Sequence, residues 1–228
     1  IATLVNLAIH PVVLGPENLA YSADYPGAMM AWVEGHGGGQ AMFLQGAAGD
    51  INPFWDKTSL IDGAYEQMQR MGETIGGEVV RLRRGMTFLE VGTIGLGVER
   101  VQIAPRWDID DPAIRAGVRR DYLERFGREG EAEVKMLLIG SDLALASFPG
   151  EFFVEHGLRL KDESVVANTL FVGYSNGHLG YFPTIKAAAQ GGYGAGSSTI
   201  VEVGAGELLV NRALINLVYL TGQVSRTP

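Results

Sequence analysis

Polar residues able to do chemistry recur in this sequence where an apolar run stops. His10 follows IATLVNLAI, Asp50 follows AMFLQGAAG, Glu151 follows LALASFPG, and Asn176, His178 and Tyr181 follow TLFVGYS. Strand ends of a packed sheet are where side chains from distant parts of a chain converge on one pocket, so these residues are candidates for a shared site. Each also has a plainer reading. His10, ahead of Pro11, suits a hydrogen-bonded turn, and Tyr181 suits a core position with its hydroxyl satisfied. Glu151 suits the start of a helix, where a carboxylate meets the positive end of the dipole.

The stretch QGAAGDINP, residues 45–53, sets Gly46, Ala47, Ala48 and Gly49 ahead of Asp50 and Asn52. Backbone that bare admits the close approach of another group. Asp50 can accept a proton or orient a water, and Asn52 can donate a hydrogen bond to a carbonyl oxygen but cannot act as an alkoxide nucleophile. An Asx turn ahead of Pro53 is the other use for both residues. The glycines of EGHGGG, residues 34–39, lack the GK[ST] ending of a phosphate cradle and follow a helix instead of preceding one. GGYGAGSST, residues 191–199, carries Tyr193 and three hydroxyls and reads as a functional loop or as a mobile surface loop. Neither a GxSxG elbow nor an HExxH pair occurs, so the common serine-hydrolase and zincin readings have no local support.

Composition narrows the classes. A chain of 228 residues that is 46% hydrophobic can bury one substantial core, and a single domain over 1–228 is the expectation. A formal charge of -8 argues against a phosphate-tracking surface, so nucleic acid is set aside as a partner. No apolar run approaches the ~20 residues that span a bilayer, and no signal peptide is visible at the start. With 0 cysteines, a metal would have to use imidazole, carboxylate or a less usual oxygen.

The elements that must position the candidates follow from periodicity. Residues 2–9 and the run AMFLQ read as buried strands, with a helix starting within 22–26 and ending at the GHGGG glycines. Ile61, Ala64, Met68, Met71, Ile75 and Val79 recur three or four apart and predict an amphipathic helix over 60–82. Residues 87–103 read as one or two strands, and 112–126 as a charged helix whose arginines form a solvated face. VKMLLIG and LALASFP flank Ser141 and Asp142 as a hairpin, helices are expected over 152–161 and 208–220, and TLFVGYSNG forms a further strand. The mixture predicts an α/β fold, a layered sandwich with a mixed β-sheet core flanked by helices.

Taken together, VNLAIHPVVLG, SADYPG, FLQGAAGDINP, FPGEFFVEHGLRLK and YSNGHLGYFPT, followed by Tyr193 and SSTI, resemble successive motifs of the neutral, non-lysosomal ceramidases and their bacterial relatives. The PGE motif and the Tyr181, Thr184, Tyr193 pattern are the most specific of them. The resemblance implies the C-terminal portion of a ceramidase-like catalytic domain whose N-terminal part is missing from the chain or sits on a companion chain. It implies a Zn2+-dependent amidase that cleaves the amide of an N-acylated, lipid-like substrate with metal-activated water. Its metal ligands would be His10, Glu151 and Tyr181, with Tyr193 placed to stabilise the oxyanion. A further histidine ligand belongs to a THTHSGP-like motif expected upstream. Where the family has a catalytic serine in a GNLSP-like stretch, this chain has Asn52, which leaves Asp50 and Asn52 as the catalytic candidates of the loop. The resemblance also implies a periplasmic or secreted setting. A hydrolase for a different amide or ester, and a noncatalytic lipid- or carbohydrate-binding protein on the same fold, are the alternatives.

Overall fold

A computed structural model describes residues 2–89, 92–108, 110–117 and 130–225. The chain forms two compact units, the first from Ile1–Gln45 with Ile51–Phe88, the second from Gly46–Asp50 with Leu89–Pro228.

In the first unit, strand β1 (Ala2–Leu7) pairs in parallel with β2 (Gln40–Gln45), Ala2 opposite Gln40. Parallel neighbours need a crossover, and helix α1 (Asp24–Gly35) supplies it. The Asp24 carboxylate accepts from the backbone N–H of Leu14 at 2.9 Å and of Tyr25 at 2.7 Å, which ties the loop after β1 to the helix start. Gly37, at φ 77°, lets the chain turn out of α1, as the glycine run predicts. Helix α2 (Ala64–Arg83) packs on α1 through its small residues. A Cβ on Gly72 would lie 2.4 Å from Ala28 Cβ, and one on Gly76 would lie 2.7 Å from the Trp32 ring. The predicted helix starts later than its periodicity suggests. Leu60–Asp62 form a short 3-10 turn and Gly63, at φ 79°, breaks the path, which leaves Ile61 92% exposed.

The second unit is built on a four-stranded mixed sheet in the order β3-β4-β5-β7. Strand β3 (Ile94–Ile103) pairs antiparallel with β4 (Gly130–Ile139), β4 antiparallel with β5 (Leu143–Ser147), and β5 parallel with β7 (Asn168–Val172). The β4–β5 hairpin turns through Gly140, at φ 62°, and the predicted Ser141 and Asp142. A second, two-stranded parallel sheet joins β6 (Glu151–Phe152) to β8 (Tyr181–Phe182). The helices are α3 (Pro112–Gly117), α4 (Val154–Glu163), α5 (Ile185–Gln190) and α6 (Ala205–Leu220). Residues 118–126 of the predicted charged helix lie outside the described residues.

Helix α6 lies on β3 and β4, and α4 lies on β7. Close approach of α6 requires Gly97, because a Cβ there would sit 2.1 Å from Asn216 Oδ1. The core beneath holds Met136, Phe148, Phe152, Phe171, Phe182 and Leu209, all essentially inaccessible to solvent. Phe152 stacks on Phe182 at 4.2 Å and Phe148 on Phe171 at the same distance, so the strands that carry Glu151 and Tyr181 rest on a rigid aromatic base. The mixed sheet with flanking helices is the layered α/β architecture the sequence predicts.

Candidate active site

Glu151 leaves β5 through Phe148-Pro149-Gly150, a turn zipped to the loop that follows β7. Tyr174 N–H donates to Gly150 O (3.1 Å), Ser175 N–H to Phe148 O (2.9 Å), Leu179 N–H to Pro149 O (2.9 Å) and Glu151 N–H to Gly180 O (2.9 Å). Gly150 is required by that contact, since a Cβ would fall 2.5 Å from Gly180 O. The zipper ends in the β6–β8 pairing, with Glu151 directly opposite Tyr181. Partners in register on parallel strands project to the same face, so the carboxylate and the phenol share one side of this small sheet.

The loop between the paired segments closes over Glu151. Tyr174 Oη donates to Glu151 Oε2 at 3.1 Å, and His178 Nε2 lies 3.2 Å from Glu151 Oε1. Both loop residues are placed by unusual backbone nearby. Tyr174 and Asn176 adopt φ 53° and 63°, and the Asn176 amide is fastened to Ser147 Oγ (2.9 Å) and Ser147 O (3.2 Å). Burial pushes the Tyr174 hydroxyl far above its ordinary range, and the charge and hydrogen bond of Glu151, with the nearby Tyr181, push it further. Tyr174 therefore stays protonated and serves Glu151 as a neutral donor.

Tyr193 reaches the same cluster from the glycine loop. It opens a turn of π-helix, Tyr193–Ser197, and its ring meets the Tyr181 ring edge-on, 5.7 Å between centroids. Gly194 permits the approach, since a Cβ would lie 2.9 Å from Tyr181 Cδ1. The loop is held from two sides: Thr199 Oγ1 donates to Tyr181 O at 2.9 Å, the Trp107 indole N–H donates to Thr199 O at 3.0 Å, and Arg106 donates to Ala195 O. Tyr193 itself is 73% exposed.

Behind the site, α4 and α6 grip the chain just after Tyr181. The buried His156 bonds the Pro183 carbonyl, which can only accept, so its Nδ1 carries the proton; Nε2 has no partner. Glu207 Oε1 accepts from Ile185 N–H at 2.8 Å.

Asp50 belongs to the second unit and is spoken for by backbone: its Oδ1 accepts from Val154 N–H, 2.7 Å away, at the start of α4. The bareness of QGAAGDINP is explained here. Gly49 N–H donates to Phe152 O at 2.7 Å, and a Cβ on Gly49 would lie 2.5 Å from Glu151 O. The group that comes close to this loop is the strand bearing Glu151.

His10 and Asn52 belong to the first unit. His10 N–H donates to Ile51 O at 2.9 Å and its Nδ1 lies 3.2 Å from the same oxygen. A carbonyl can only accept, so Nδ1 carries the proton and, in the neutral ring, the lone pair is on Nε2, the tautomer suited to ligation. The Asn52 amide donates to Asp56 Oδ2 at 2.9 Å.

Of the residues read from sequence, the structure thus gathers Glu151, Tyr181 and Tyr193, sets Asp50 on the helix behind them, and holds His10 and Asn52 in the other unit. Two members of the cluster carry no role in the sequence reading. Tyr174 has no signal beyond its place in YSNGH, and His178 is noted as a strand-exit residue without an assignment. Among the described residues no group of three or more His, Asp or Glu side chains is arranged to hold a metal ion. The donor chemistry at Glu151 and Tyr181 nonetheless fits the zinc that the motifs imply: a carboxylate and a phenol on one face, with the imidazole of His178 at the carboxylate.

Compared by sequence, the chain matches no protein-family model and no curated protein. Compared by structure, it is similar to neutral ceramidase from Pseudomonas aeruginosa, with a TM-score of 0.72 at 16% identity, covering 99% of this chain and 45% of that one. It is equally similar to a structure of a ceramidase complexed with C2, with a TM-score of 0.72 at 16% identity, covering 100% of this chain and 46% of that one. The chain therefore has a ceramidase-like fold and spans less than half the length of these structures, and the resemblance read from its motifs is borne out at the level of fold. Among the described residues no helix is long and apolar enough to cross a membrane.

Proposed function

We propose that this chain carries part of the active site of a zinc-dependent hydrolase that cleaves the amide bond of an N-acylated, lipid-like substrate. The observation that supports it best is the pairing of Glu151 with Tyr181 in register, ringed by Tyr174, His178 and Tyr193, on a fold shared with ceramidases. Glu151 and Tyr181 would hold the ion, and His10 is proposed as a further ligand on the motif order alone. When bound, zinc supplies Lewis acidity toward the acyl carbonyl and toward water.

The remaining work falls to side chains. Tyr174 and His178 fix the Glu151 carboxylate and set its orientation, as partners behind a ligand do. Tyr193 would donate its hydroxyl to the oxyanion as the carbonyl becomes tetrahedral, a contribution on the order of 3 kcal/mol for a single such donor. Asp50 serves as an orienter: by holding α4 at its first residue it fixes the strand that bears Glu151. Asn52 has no ionisable hydroxyl and cannot act as an alkoxide nucleophile, so the nucleophile of this reading is water. The exported setting implied by the motifs belongs to this reading, and fractionation of the native host checks it.

The test is elemental analysis and turnover of an N-acylated amide in Glu151→Ala and Tyr181→Phe. Loss of bound zinc together with turnover supports the reading. Full zinc content with undiminished turnover in both variants overturns it.

A further inference from the structure

The described helices of the second unit lie on one face of the four-stranded sheet, and the opposite face presents an aliphatic, partly exposed surface. Register defines that face. Ile94, Ile139 and Leu143 form one cross-strand row, and Leu96, Leu137 and Leu145 form the next. Ile94 and Leu96 are 69% and 66% exposed, and the other four are half-buried. On the helix side, in contrast, Met136, Ala144 and Ala146 are fully buried. An antiparallel sheet can leave one face to water, but that face is then polar, whereas a contiguous aliphatic surface of this kind marks an interaction site.

Charge sets the limits of the surface. Along β3 and β4 the same face turns polar at Arg100, Glu131, Glu133 and Lys135, which pair with one another as Arg100 Nε–Glu133 Oε2 (3.2 Å), Arg100 Nε–Glu131 Oε1 (3.7 Å) and Lys135 Nζ–Glu133 Oε1 (2.6 Å). An apolar centre with a polar rim is the anatomy of a protein interface. Glycines that admit a helix closely, Gly95 and Gly97, sit on the helix side of β3, whereas the open side presents full aliphatic side chains in straight rows. Straight rows at that height suit the face of a second sheet stacked about 10 Å away. The source of such a layer is also indicated: the ceramidase structures match this chain over 45% and 46% of their own length, so more than half of each has no counterpart here.

We propose that this face is covered by a second β-sheet carried by the portion of a ceramidase-like protein that has no counterpart in these 228 residues. The proposal rests on the fold and on this surface, and it stands or falls apart from the hydrolase reading.

These 228 residues hold 0 cysteines, so label found on a peptide from within them by mass spectrometry reports the introduced thiol. Leu96→Cys, Leu145→Cys and, as a control on α4, Leu158→Cys (60% exposed in the wild type) are labelled with a maleimide in the protein as its host makes it. A photo-crosslinking group at position 96 or 145 then identifies what lies above. The expected result is labelling at 96 and 145 at least ~10-fold slower than at 158, with crosslinks to residues spaced by two in polypeptide outside this chain. Labelling as fast as the control overturns the proposal. So do crosslinks to residues 2–88, to a second copy, to lipid, or to residues spaced by three and four as on a helix. The labelling experiment needs no activity, so its outcome is independent of whether amide hydrolysis is found.

Discussion

Two carboxylates stand at strand exits in the second unit, and their partners differ in kind. Glu151 receives a phenol and faces an imidazole, both side chains. Asp50 receives a backbone N–H from the first residue of α4. Both exits need a glycine for the same reason, that another backbone passes within contact: Gly150 against Gly180 and Gly49 against Glu151. The carboxylate of Glu151 is held by side chains, whereas that of Asp50 holds the backbone at a helix start. The two exits look alike as sequence, and their surroundings differ in the folded chain.

The comparison is broken most severely at Glu151. Glu151→Ala is expected to lower turnover by about 10³-fold, the equivalent of roughly 4 kcal/mol in the barrier, with zinc content falling in parallel. Asp50→Ala must remain well short of that loss for the contrast to hold. Next comes Tyr193→Phe, expected to reduce kcat by about 10²-fold with KM little changed, since its hydroxyl would act in the transition state. Steady-state kinetics on one N-acylated amide separates the two constants. Tyr174→Phe removes the neutral donor to Glu151 and is expected to weaken zinc binding about 10-fold, measured by competition with a chelator, while the fold is retained.

At Asp50 the expected effect is on stability. Asp50→Ala leaves the α4 start without its acceptor and costs about 1 kcal/mol in denaturant unfolding, and Asp50→Asn, which keeps an acceptor, recovers most of it. Turnover in Asp50→Asn within about threefold of wild type fits an orienting role, and a loss like that of Glu151→Ala would erase the comparison.

The smallest effect concerns the grip behind Tyr181. Burial holds the His156 imidazole below its ordinary value of 6.5, Arg159 adds to this, and Glu207, the Pro183 carbonyl and Glu155 oppose it. The sign follows from the proton count. The unfolded chain takes up a proton at His156 as pH falls through about 6.5, and the folded chain does so at lower pH, so stability from this residue is full above 6.5 and is lost below it. Unfolding midpoints at pH 7.5 and 5.5 are expected to differ less in His156→Gln than in wild type.

Much of this was legible in the order of residues. The α1 exit at its glycines, the β4–β5 hairpin at Ser141 and Asp142, and the mixed α/β class follow from local chemistry, since turn residues and apolar period act within a few positions of themselves. The start of α2 was not legible, because one glycine in a left-handed conformation overrode an apolar period that ran through Ile61. In the candidate site, PGE and the two tyrosines were visible as motifs, whereas Tyr174 was not, because its role comes from a backbone zipper between loops and has no period or spacing of its own.

By itself, then, the sequence determined which residue types stand at each strand exit, the absence of thiolate chemistry, and the elements on either side. The tertiary structure decided which exits face one another: Glu151 opposite Tyr181, Tyr193 folded back onto that ring, and Asp50 turned toward a helix. The physical reason is that identity and local preference are properties of neighbours in sequence, whereas register and close approach are set by which strands pair, a choice made by the whole core at once.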